Sequence, residues 1–309
     1  MKTSVIIPTY HRPRELRDCL LSILAQTLLP TEVLVIDDGR LEEWPLEREF
    51  RDRGVAYRGF RKETPGLTAS RNLGVREAAG DVIFFLDDDT TLYPDYLEQV
   101  LRVYEADTMR EVGAVGGVIA NVKPLTWPRR VRHAFDVFFL QSGTREGSIL
   151  PSGFGVDYGS TPYPLRGPTR VQFLAGGVSS YRREVFDGMS FDESFQGYGL
   201  GEDKDFTFRL SKRRRLVVTP FARLDHHEAP QMRYDKRRRG REKVLFQYRF
   251  FRDHVRRGWV SWLFLGHALF GYLLARTAIM VLSRDLEESD RVRGVLSAIA
   301  DILRGRADA

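Results

Sequence analysis

Two patterns of apolar and polar positions, one typical of strands and one typical of helices, alternate along the first half of the chain. Short apolar runs of strand length are separated by stretches whose apolar residues recur at helical spacing. The apolar runs are SVIIP, EVLVID, VAYRGF, DVIFFLD and VGAVGGVIA, and the helical stretches include RELRDCLLSILAQ, LTASRNLGVREAA and PDYLEQVLRVYEAD. Because parallel strands need crossover connections, this alternation predicts an α/β fold with a doubly wound, mainly parallel, Rossmann-like sheet.

The pattern changes after residue 120. Residues 121–170 are rich in proline, glycine and aromatic residues and have weak periodicity, which predicts a loop-rich region that covers one face of the sheet. VQFLAGGVSSYRREVF and LVVTPFARLDHH have the composition of further strands. Between them, GEDKDFTFRL predicts a helix with acidic residues in its first turn, where they also favour the helix dipole.

The C-terminal part combines the basic run DKRRRGREK with the apolar stretch WVSWLFLGHALFGYLLARTAIMVL. A membrane-spanning helix needs roughly 20 apolar residues, so the stretch is long enough to span. The internal Arg276 and the flanking arginines suit a helix that lies at the membrane surface equally well. Packing against the domain is a third alternative, and the sequence leaves all three open.

Composition narrows the function classes. The 309 residues are 42% hydrophobic and 29% charged, which suffices for one large domain or one domain with an appendage. The single cysteine, Cys19, excludes a disulfide framework and indicates a reducing compartment, and we expect it in the core. MKTSVIIPTY is too short for a signal peptide, so we expect no export. A net charge of +6 fits nucleotide phosphate, anionic lipid, nucleic acid or a solvated surface.

Carboxylates follow the most apolar predicted strand, VIFFL, as Asp87, Asp88 and Asp89. Adjacent negative charges repel one another, so they need solvent or a cation. Alternate side chains of a strand share a face, which predicts that Asp87 and Asp89 point together and Asp88 points away. Hard oxygen ligands of this kind suit Mg²⁺ or Mn²⁺, although an acidic loop would have the same short pattern. Polar residues also follow the first two strands, as Thr9, Tyr10, Asp37 and Asp38, and we expect these strand ends to converge.

Six motifs occur in an order that resembles the inverting GT-A glycosyltransferases of family 2. They are PTYHR, VIDDG, GLTASRNLG, FLDDD, FLAGGVSSYRREVF and GEDKDFTFRL, and they span about residues 3–230. The resemblance implies a GT-A domain over 1–230, with a nucleotide-sugar-binding half (1–120) and an acceptor-binding and catalytic half (121–230). Residues 231–309 then form a basic, amphipathic helical region.

The resemblance also implies a donor site and a metal site. The donor site would be formed by Pro8, Thr9, Tyr10, Asp38, Arg71, Asp87 and Asp88. A guanidinium binds phosphate oxygens well, although Arg71 could be a surface charge. The cofactor would be Mn²⁺ or Mg²⁺, with Asp89 as the direct ligand, Asp87 beside it and His226 as a further ligand. For His226 a structural role is equally open.

On the acceptor side, the resemblance assigns Asp203 as the catalytic base and Glu202 as an orienting or acceptor-contacting group. A base is needed because the acceptor hydroxyl loses a proton as it attacks the anomeric carbon. Gly176 and Gly177 match a turn on the acceptor side, where a glycine lets the backbone approach a ligand closely. A bulge or tight turn is the alternative. VIDDGR departs from the family, with Arg40 where relatives often carry a hydroxyl residue.

The expected function is therefore transfer of a sugar from a nucleoside diphosphate sugar to a glycan or lipid-linked acceptor, as in cell-surface polysaccharide synthesis. We expect peripheral contact with the inner face of the cell membrane and no nucleic acid partner; the oligomeric state is left open. A non-catalytic sugar-nucleotide or glycan binder is the main alternative. A dinucleotide oxidoreductase is disfavoured because no GxGxxG follows the first strand. A nucleic-acid-binding protein would use the basic runs SKRRR and DKRRRGREK, but anionic lipid beside the apolar stretch explains the same residues.

Overall fold

The structure is a computed structural model that describes residues 1–122, 126–158, 165–195, 200–227, 235–283 and 285–307. The chain forms two compact units. The first unit comprises Met1–Lys123 and Leu165–Ala229, and the second comprises Pro124–Pro164 and Pro230–Ala309. The predicted domain boundary at 230/231 lies outside the described residues, so that division stays a prediction.

Strands and helices are numbered along the chain. The strands are β1 (Thr3–Thr9), β2 (Glu32–Asp37), β3 (Ala56–Arg61), β4 (Val82–Leu86), β5 (Thr90–Leu92), β6 (Val112–Ile119), β7 (Thr169–Val171), β8 (Val178–Arg182) and β9 (Arg215–His226). The α-helices are α1 (Pro13–Leu24), α2 (Glu47–Asp52), α3 (Leu67–Glu77), α4 (Tyr96–Ala106), α5 (Trp127–Phe138), α6 (Glu202–Ser211), α7 (Lys236–Phe250), α8 (Ser261–Ser283) and α9 (Leu286–Leu303).

The first unit is built on one mixed sheet with the strand order β3-β2-β1-β4-β8-β6-β9-β5, and β7 pairs with β9. The four strands from β3 to β4 are parallel, as are β6 and β9, whereas β8 and β5 run antiparallel to their neighbours. In the parallel register Thr9 pairs with Asp37, so the carboxyl ends of β1 and β2 lie level. The predicted α/β fold with a mainly parallel sheet is confirmed.

The core of the first unit follows the predicted periodicity. Helix α1 begins at Pro13, whose fixed φ suits a first helical turn. Its buried side chains recur at helical spacing and include Leu16, Cys19, Leu20 and Ile23. Cys19 is fully buried, which confirms the expected core position. Strands β2 and β4 are buried along their whole length, as expected for strands covered on both faces.

Two local predictions differ from the structure. The region 121–170 contains helix α5 in addition to loops, because Pro128 is tolerated in the first turn and residues with helical spacing follow it. The run VQFLAGGVSSYRREVF is divided into β7, β8 and a 3₁₀ turn at Arg183–Asp187. The break before β8 contains Gly176 and Gly177, whose backbones approach other side chains closely.

The second unit is helical, and its helices α7 and α9 cross at two glycines. A Cβ on Gly240 would lie 2.4 Å from the carbonyl oxygen of Arg291, and a Cβ on Gly294 would collide with the carbonyl of Arg237. The two backbones are therefore in direct contact. The core around them includes Val244, Leu265, Ala268, Val295 and Ala298.

Acidic partners neutralise much of the basic run DKRRRGREK in α7. Lys236 pairs with Asp285 at 3.3 Å, and Arg241 pairs with Asp301 at 2.9 Å. Arg238 pairs with Glu242, one turn along the same helix, at 2.7 Å. These pairs are partly exposed and each contributes little to stability. They nevertheless reduce the positive charge that this helix could offer to nucleic acid.

Candidate active site

The carboxylate triplet lies at a sharp turn between β4 and β5. Thr90 closes this turn, since its hydroxyl donates a hydrogen bond to the carbonyl of Asp87 at 2.7 Å. Strand β5 then pairs antiparallel with the end of β9, with Thr90 opposite His226. This pairing brings a histidine from far along the chain to the triplet.

Asp87, Asp89 and His226 form a cluster whose ligand atoms all lie within 4.8 Å of one another. His226 Nε2 lies 3.1 Å from Asp89 Oδ1. Asn121 fixes the backbone of His226 from both sides, donating to its carbonyl at 2.9 Å and accepting from its amide at 3.1 Å. Two carboxylates and an imidazole are a donor set that fits Mn²⁺, and their grouping offers such an ion adjacent ligands. We call these three residues the acidic cluster.

Asp88 points away from the acidic cluster, as the strand geometry predicted. Its Oδ2 accepts a hydrogen bond from the Thr9 hydroxyl at 2.8 Å, and its Oδ1 accepts one from Arg12 at 3.0 Å. Arg12 also contacts Asp89 at 3.3 Å. Burial raises the pKa of Asp88 to about 6, against the opposing effect of Arg12. Asp88 thus joins the ends of β1 and β4.

Asp38 is held by the start of α3. It accepts hydrogen bonds from the amide of Gly66 at 2.8 Å and from the hydroxyl of Ser70 at 2.7 Å, and it forms an ion pair with Lys62 at 3.0 Å. These contacts orient a predicted donor-site residue, and they are made with α3 rather than with the acidic cluster. Pro8 lies within β1.

Tyr10 directly follows β1 and is 40% exposed, with its ring edge against His11 at a centroid distance of 4.3 Å. His11 itself has φ of +55°, a conformation that few non-glycine residues adopt. The exposed ring is available to stack on a planar ligand such as a nucleotide base.

Arg71 is buried inside the site, so the alternative of a surface charge is wrong. Its guanidinium forms an ion pair with Glu202 and lies 3.7 Å from Asp87 Oδ1. It also lies 5.4 Å from the centre of the Phe191 ring, a cation–π distance. Burial opposes the charged form, but the carboxylates of Glu202, Asp87 and Asp203 outweigh it and raise the pKa of Arg71. Arg71 therefore connects the acidic cluster to the second acidic motif.

Glu202 and Asp203 begin α6 directly after Gly201, which has φ of +85°. Glu202 is 4% exposed, and burial raises its pKa, although Arg71 favours its ionised form. Within the described residues, Glu202 Oε2 and Arg71 Nε have no hydrogen-bond partner. A buried pair of this kind is costly to break, because either partner alone would be an uncompensated charge.

Asp203, in contrast, is only half-buried. Its Oδ2 accepts a hydrogen bond from the amide of Gly176 at 3.0 Å, and its Oδ1 accepts one from the amide of Lys204 at 2.7 Å. Two backbone donors hold the carboxylate in one orientation without neutralising its charge. Such a group can accept a proton from a bound hydroxyl.

A side chain at position 176 or 177 would collide with a charged group of the site. A Cβ on Gly176 would lie 2.6 Å from Arg71 Nη2, and a Cβ on Gly177 would lie 2.0 Å from Asp87 Oδ2. At either distance the neighbouring side chain, Arg71 or Asp87, would have to move to make room for a Cβ. Their observed contacts are with the charged groups of the site, and a role toward the acceptor stays a prediction.

Sequence reasoning missed Arg12 and Lys62, which provide the positive charge beside Asp88 and Asp38. Arg12 is part of the PTYHR motif and directly precedes α1, so its position near the strand ends was visible in the sequence. Lys62 directly follows β3, at the same edge of the sheet. Basic residues at these strand ends were the available signal.

Comparisons with known proteins agree with this architecture. The chain matches the description "Glycosyl transferase family 2" over residues 4–189. It is 35% identical over 105 residues to the uncharacterized glycosyltransferase YwdF of Bacillus subtilis, covering 34% of this chain and 39% of that protein. It is 34% identical over 122 residues to a glucosyl-dolichyl phosphate glucuronosyltransferase of Haloferax volcanii, covering 38% of each chain. The chain thus matches less than half the length of these relatives.

Solved structures share the fold at low identity. S. aureus TarS 1-349 in complex with UDP-GlcNAc has a TM-score of 0.57 and 17% identity, covering 100% of this chain and 83% of that chain. Mannosyltransferase PcManGT from Pyrobaculum calidifontis, with GDP-Man and Mn²⁺, has a TM-score of 0.54 and 18% identity, covering 97% and 87%. At this identity the similarity establishes the fold alone. Since the family match covers more than half of the chain, the protein belongs to glycosyl transferase family 2.

Proposed function

We propose that the protein is an inverting, metal-dependent glycosyltransferase that uses a nucleoside diphosphate sugar as donor. The observation that carries this proposal is the acidic cluster, in which Asp87, Asp89 and His226 converge at the ends of β4 and β9. Its neighbour Arg71 leads directly to Glu202, beside the half-exposed Asp203. The site thus combines a cation position with a carboxylate suited to proton transfer.

On the donor side, Asp38 and Tyr10 would hold the ribose and the base, with Pro8 and Thr9 beside them at the end of β1. Asp38 is oriented by Lys62 and Ser70, and Tyr10 offers an exposed ring. Asp88 supports this site through Thr9 and Arg12 rather than by presenting its own oxygens, because both oxygens are already bonded. TarS and PcManGT, which share the fold, bind UDP-GlcNAc and GDP-Man.

Asp89, Asp87 and His226 would hold Mn²⁺ or Mg²⁺. Such a cation would supply charge neutralisation at the diphosphate leaving group. Arg12 and Arg71 adjoin the cluster and limit the repulsion between its carboxylates. Asp89 is only 5% exposed, so its interactions are stronger than they would be in water.

On the acceptor side, Asp203 would accept the proton of the acceptor hydroxyl as that oxygen attacks the anomeric carbon. Hydrogen bonds from Gly176 and Lys204 hold its carboxylate in place before the acceptor binds. Glu202 would position Asp203 and Arg71 rather than exchange a proton itself, because it is buried and paired with Arg71. No covalent intermediate with the protein is needed in a single displacement.

The acceptor would be a glycan or a lipid-linked sugar, and the protein would work at the inner face of the cell membrane. This part of the proposal is supported by helix α8, a long apolar helix with side chains exposed to solvent. The resemblance of the motifs to transferases of cell-surface polysaccharides supports it as well.

Isothermal titration calorimetry with UDP, GDP and dTDP, each with and without Mn²⁺, tests the donor assignment. We expect tight binding of one nucleotide only in the presence of the metal, and loss of that metal dependence in Asp89→Ala. Asp95→Ala is the matched control, because it removes a carboxylate from the start of α4. No binding of any of the three nucleotides by the folded protein would contradict the proposal and favour a glycan-binding protein on the same fold.

A further inference from the structure

Helix α5 presents a row of apolar side chains to solvent. Trp127, Val131, Ala134 and Phe138 follow one another at steps of three and four residues, which places them on one face. Trp127 is 76% exposed, Val131 is 52% exposed and Phe138 is 68% exposed. An amphipathic helix normally buries its apolar face. Here most of that face is exposed in the part of the chain that the structure describes.

Helix α8 carries a second exposed apolar row. It consists of Leu263, Phe270, Leu274 and Val281, which are 44% to 64% exposed and lie on one face of the helix. The opposite face contributes Leu265, Ala268 and Leu269 to the core of the second unit. One side of α8 is therefore packed against protein, and the other side is apolar and open.

The two rows meet where α5 ends. The ring of His267 lies 5.5 Å from the ring of Phe138, and its Nε2 donates a hydrogen bond to the Phe138 carbonyl at 2.9 Å. The adjacent rings of Phe139 and Phe270 lie 6.1 Å apart. The two rows therefore adjoin at the end of α5, around His267 and Phe270. We call the adjoining rows the apolar surface, and it consists of Trp127, Val131, Phe138, Leu263, Phe270 and Leu274.

Charged residues near the apolar surface are mainly basic. Arg129 and Arg130 are exposed on α5, and Arg256 and Arg257 are exposed just before α8. The acidic residue of α5, Asp136, is paired with Arg132 at 2.8 Å, and α8 contains no acidic residue. Basic side chains beside an apolar patch suit an anionic lipid surface, where each contributes attraction. In a two-fold dimer through the same patch, these basic residues would approach their own copies.

Exposed tryptophans flank the same region. Trp127 begins α5, and Trp259, which is 78% exposed, precedes α8. Tryptophan is enriched at the level of lipid headgroups because its ring is apolar and its N–H is polar. Aromatic anchors, aliphatic side chains and arginines together are typical of helices that lie in a membrane interface.

Helix α8 is not suited to span the membrane in this arrangement. Its buried side packs into the core of the second unit, and its Arg276 forms an ion pair with Glu288 at 3.7 Å. A spanning helix would have to exchange these contacts for lipid, which is costly for an arginine and its partner. The exposed row alone can be covered by lipid while the rest of the unit stays folded.

We propose that α5 and α8 form a docking surface that lies in the headgroup region of an anionic membrane. This inference deepens the proposed function, on which it rests for the location of the acceptor. It names the surface that would contact the membrane, and it assigns α8 a position along the membrane plane. The exposed arginines would be attracted to anionic lipid headgroups, and the side chains of the apolar surface would insert among the lipids.

Flotation of the full-length protein with vesicles tests the proposal. We expect binding to vesicles that contain phosphatidylglycerol, weaker binding to pure phosphatidylcholine, and weakening by salt. Phe270→Asp should reduce binding to the anionic vesicles at least about tenfold, because it places a carboxylate in the apolar surface. Phe221→Asp is the matched control, since Phe221 is 50% exposed on β9 of the other unit, and it should bind as the wild type does.

Tryptophan quenching by brominated lipids tests the orientation. We expect stronger quenching by bromines near the headgroup than by bromines near the chain ends. Stronger quenching at the chain ends would overturn the position along the membrane plane. Absent vesicle binding, or equal losses in Phe270→Asp and Phe221→Asp, would overturn the docking surface.

Light scattering tests whether a second copy of the protein, rather than a membrane, covers the apolar surface. A concentration-dependent dimer that Phe270→Asp abolishes, without vesicle binding, would assign the apolar surface to a second copy and overturn the proposal. Nucleotide calorimetry on the same variants tests the proposed function separately from the docking surface. Vesicle binding without any nucleotide binding would contradict the proposed function and leave the docking surface standing.

Discussion

The two acidic motifs of the site, Asp87–Asp89 and Glu202–Asp203, are organised in the same way. In the first motif, Asp88 is buried against Arg12, while Asp87 and Asp89 face the acidic cluster. In the second motif, Glu202 is buried against Arg71, while Asp203 is half-exposed. Each motif therefore uses one carboxylate to fix the chain and leaves its neighbour to meet the ligand. The difference lies in depth, because Arg12 is partly exposed and Arg71 is almost fully buried.

Because of this difference, we expect substitutions in the two motifs to have different effects on binding, catalysis and stability. Removing a half-exposed carboxylate should affect binding or catalysis and leave the fold intact. Removing a buried arginine should affect the fold itself, since its partner carboxylate loses its compensation. The following substitutions separate these outcomes, beginning with the largest expected effect.

Asp203→Asn should lower turnover by about 10²–10⁴-fold, because an amide cannot accept the proton of the acceptor hydroxyl. Nucleotide affinity should change little, since Asp203 is not one of the three residues of the acidic cluster. The measurements are initial rates of nucleotide release with an acceptor and calorimetry without one. Asp205→Asn on the same helical turn is the control, because Asp205 pairs with Arg209 at 2.9 Å. Near-normal turnover in Asp203→Asn would show that the base is elsewhere.

Arg71→Met should lower the free energy of unfolding by about 3–5 kcal/mol, because it leaves Glu202 buried without a partner. Urea denaturation measures this loss. The double variant Arg71→Met with Glu202→Gln should recover part of it, since the buried charge is then gone. Arg209→Met should cost less than about 1 kcal/mol, because its ion pair with Asp205 is partly exposed. Equal losses in Arg71→Met and Arg209→Met would contradict the cost assigned to the burial of the Arg71 ion pair.

Asp89→Ala should weaken Mn²⁺-dependent nucleotide binding by about 10–100-fold, since it removes a ligand of the acidic cluster. Asp88→Asn should retain that binding within a few fold and lower stability instead, because its bonds are to Thr9 and Arg12. Calorimetry and denaturation of both variants measure the contrast. If Asp88→Asn lost the metal dependence and Asp89→Ala kept it, the two assignments would be exchanged.

Gly177→Ala should have the smallest effect on stability, a loss of about 1 kcal/mol, at the low end of the cost of overpacking. The new methyl would lie 2.0 Å from Asp87 Oδ2 and 2.2 Å from Asp87 Cγ, so the side chain of Asp87 would have to turn away. Gly188→Ala is the control, because no atom lies within 4 Å of its added Cβ. Thermal melts compare the two variants. A loss of stability in Gly188→Ala alone would contradict this account.

The sequence predicted the sheet and the acidic strand ends because both follow from local patterns. Runs such as VIFFL are buried on both faces, and the carboxylates that follow can only be placed where the strand leaves the core. The orientation of Asp87 and Asp89 away from Asp88 followed from the strand repeat. Local periodicity was sufficient for these features.

Partners that lie far apart in the chain could not be predicted in the same way. Lys236 and Asp285 are separated by 49 positions, and Arg241 and Asp301 by 60 positions, so the basic run looked unpaired in the sequence. The surroundings of Arg71 were equally hidden, because its motif does not reveal that Glu202 folds back against it. The apolar row of α5 has helical spacing, but only the packing shows that it faces solvent.

The pairing of β5 with β9 also affects how the site assembles. His226 and Asp89 are 137 positions apart, and they meet only after the last strand of the sheet has joined its neighbour. Contacts with large sequence separation form slowly, because chain entropy must be lost first. During synthesis the chain would therefore carry an incomplete cation site until β9 had emerged and docked. Binding of a divalent ion at this site would report completed folding of the first unit.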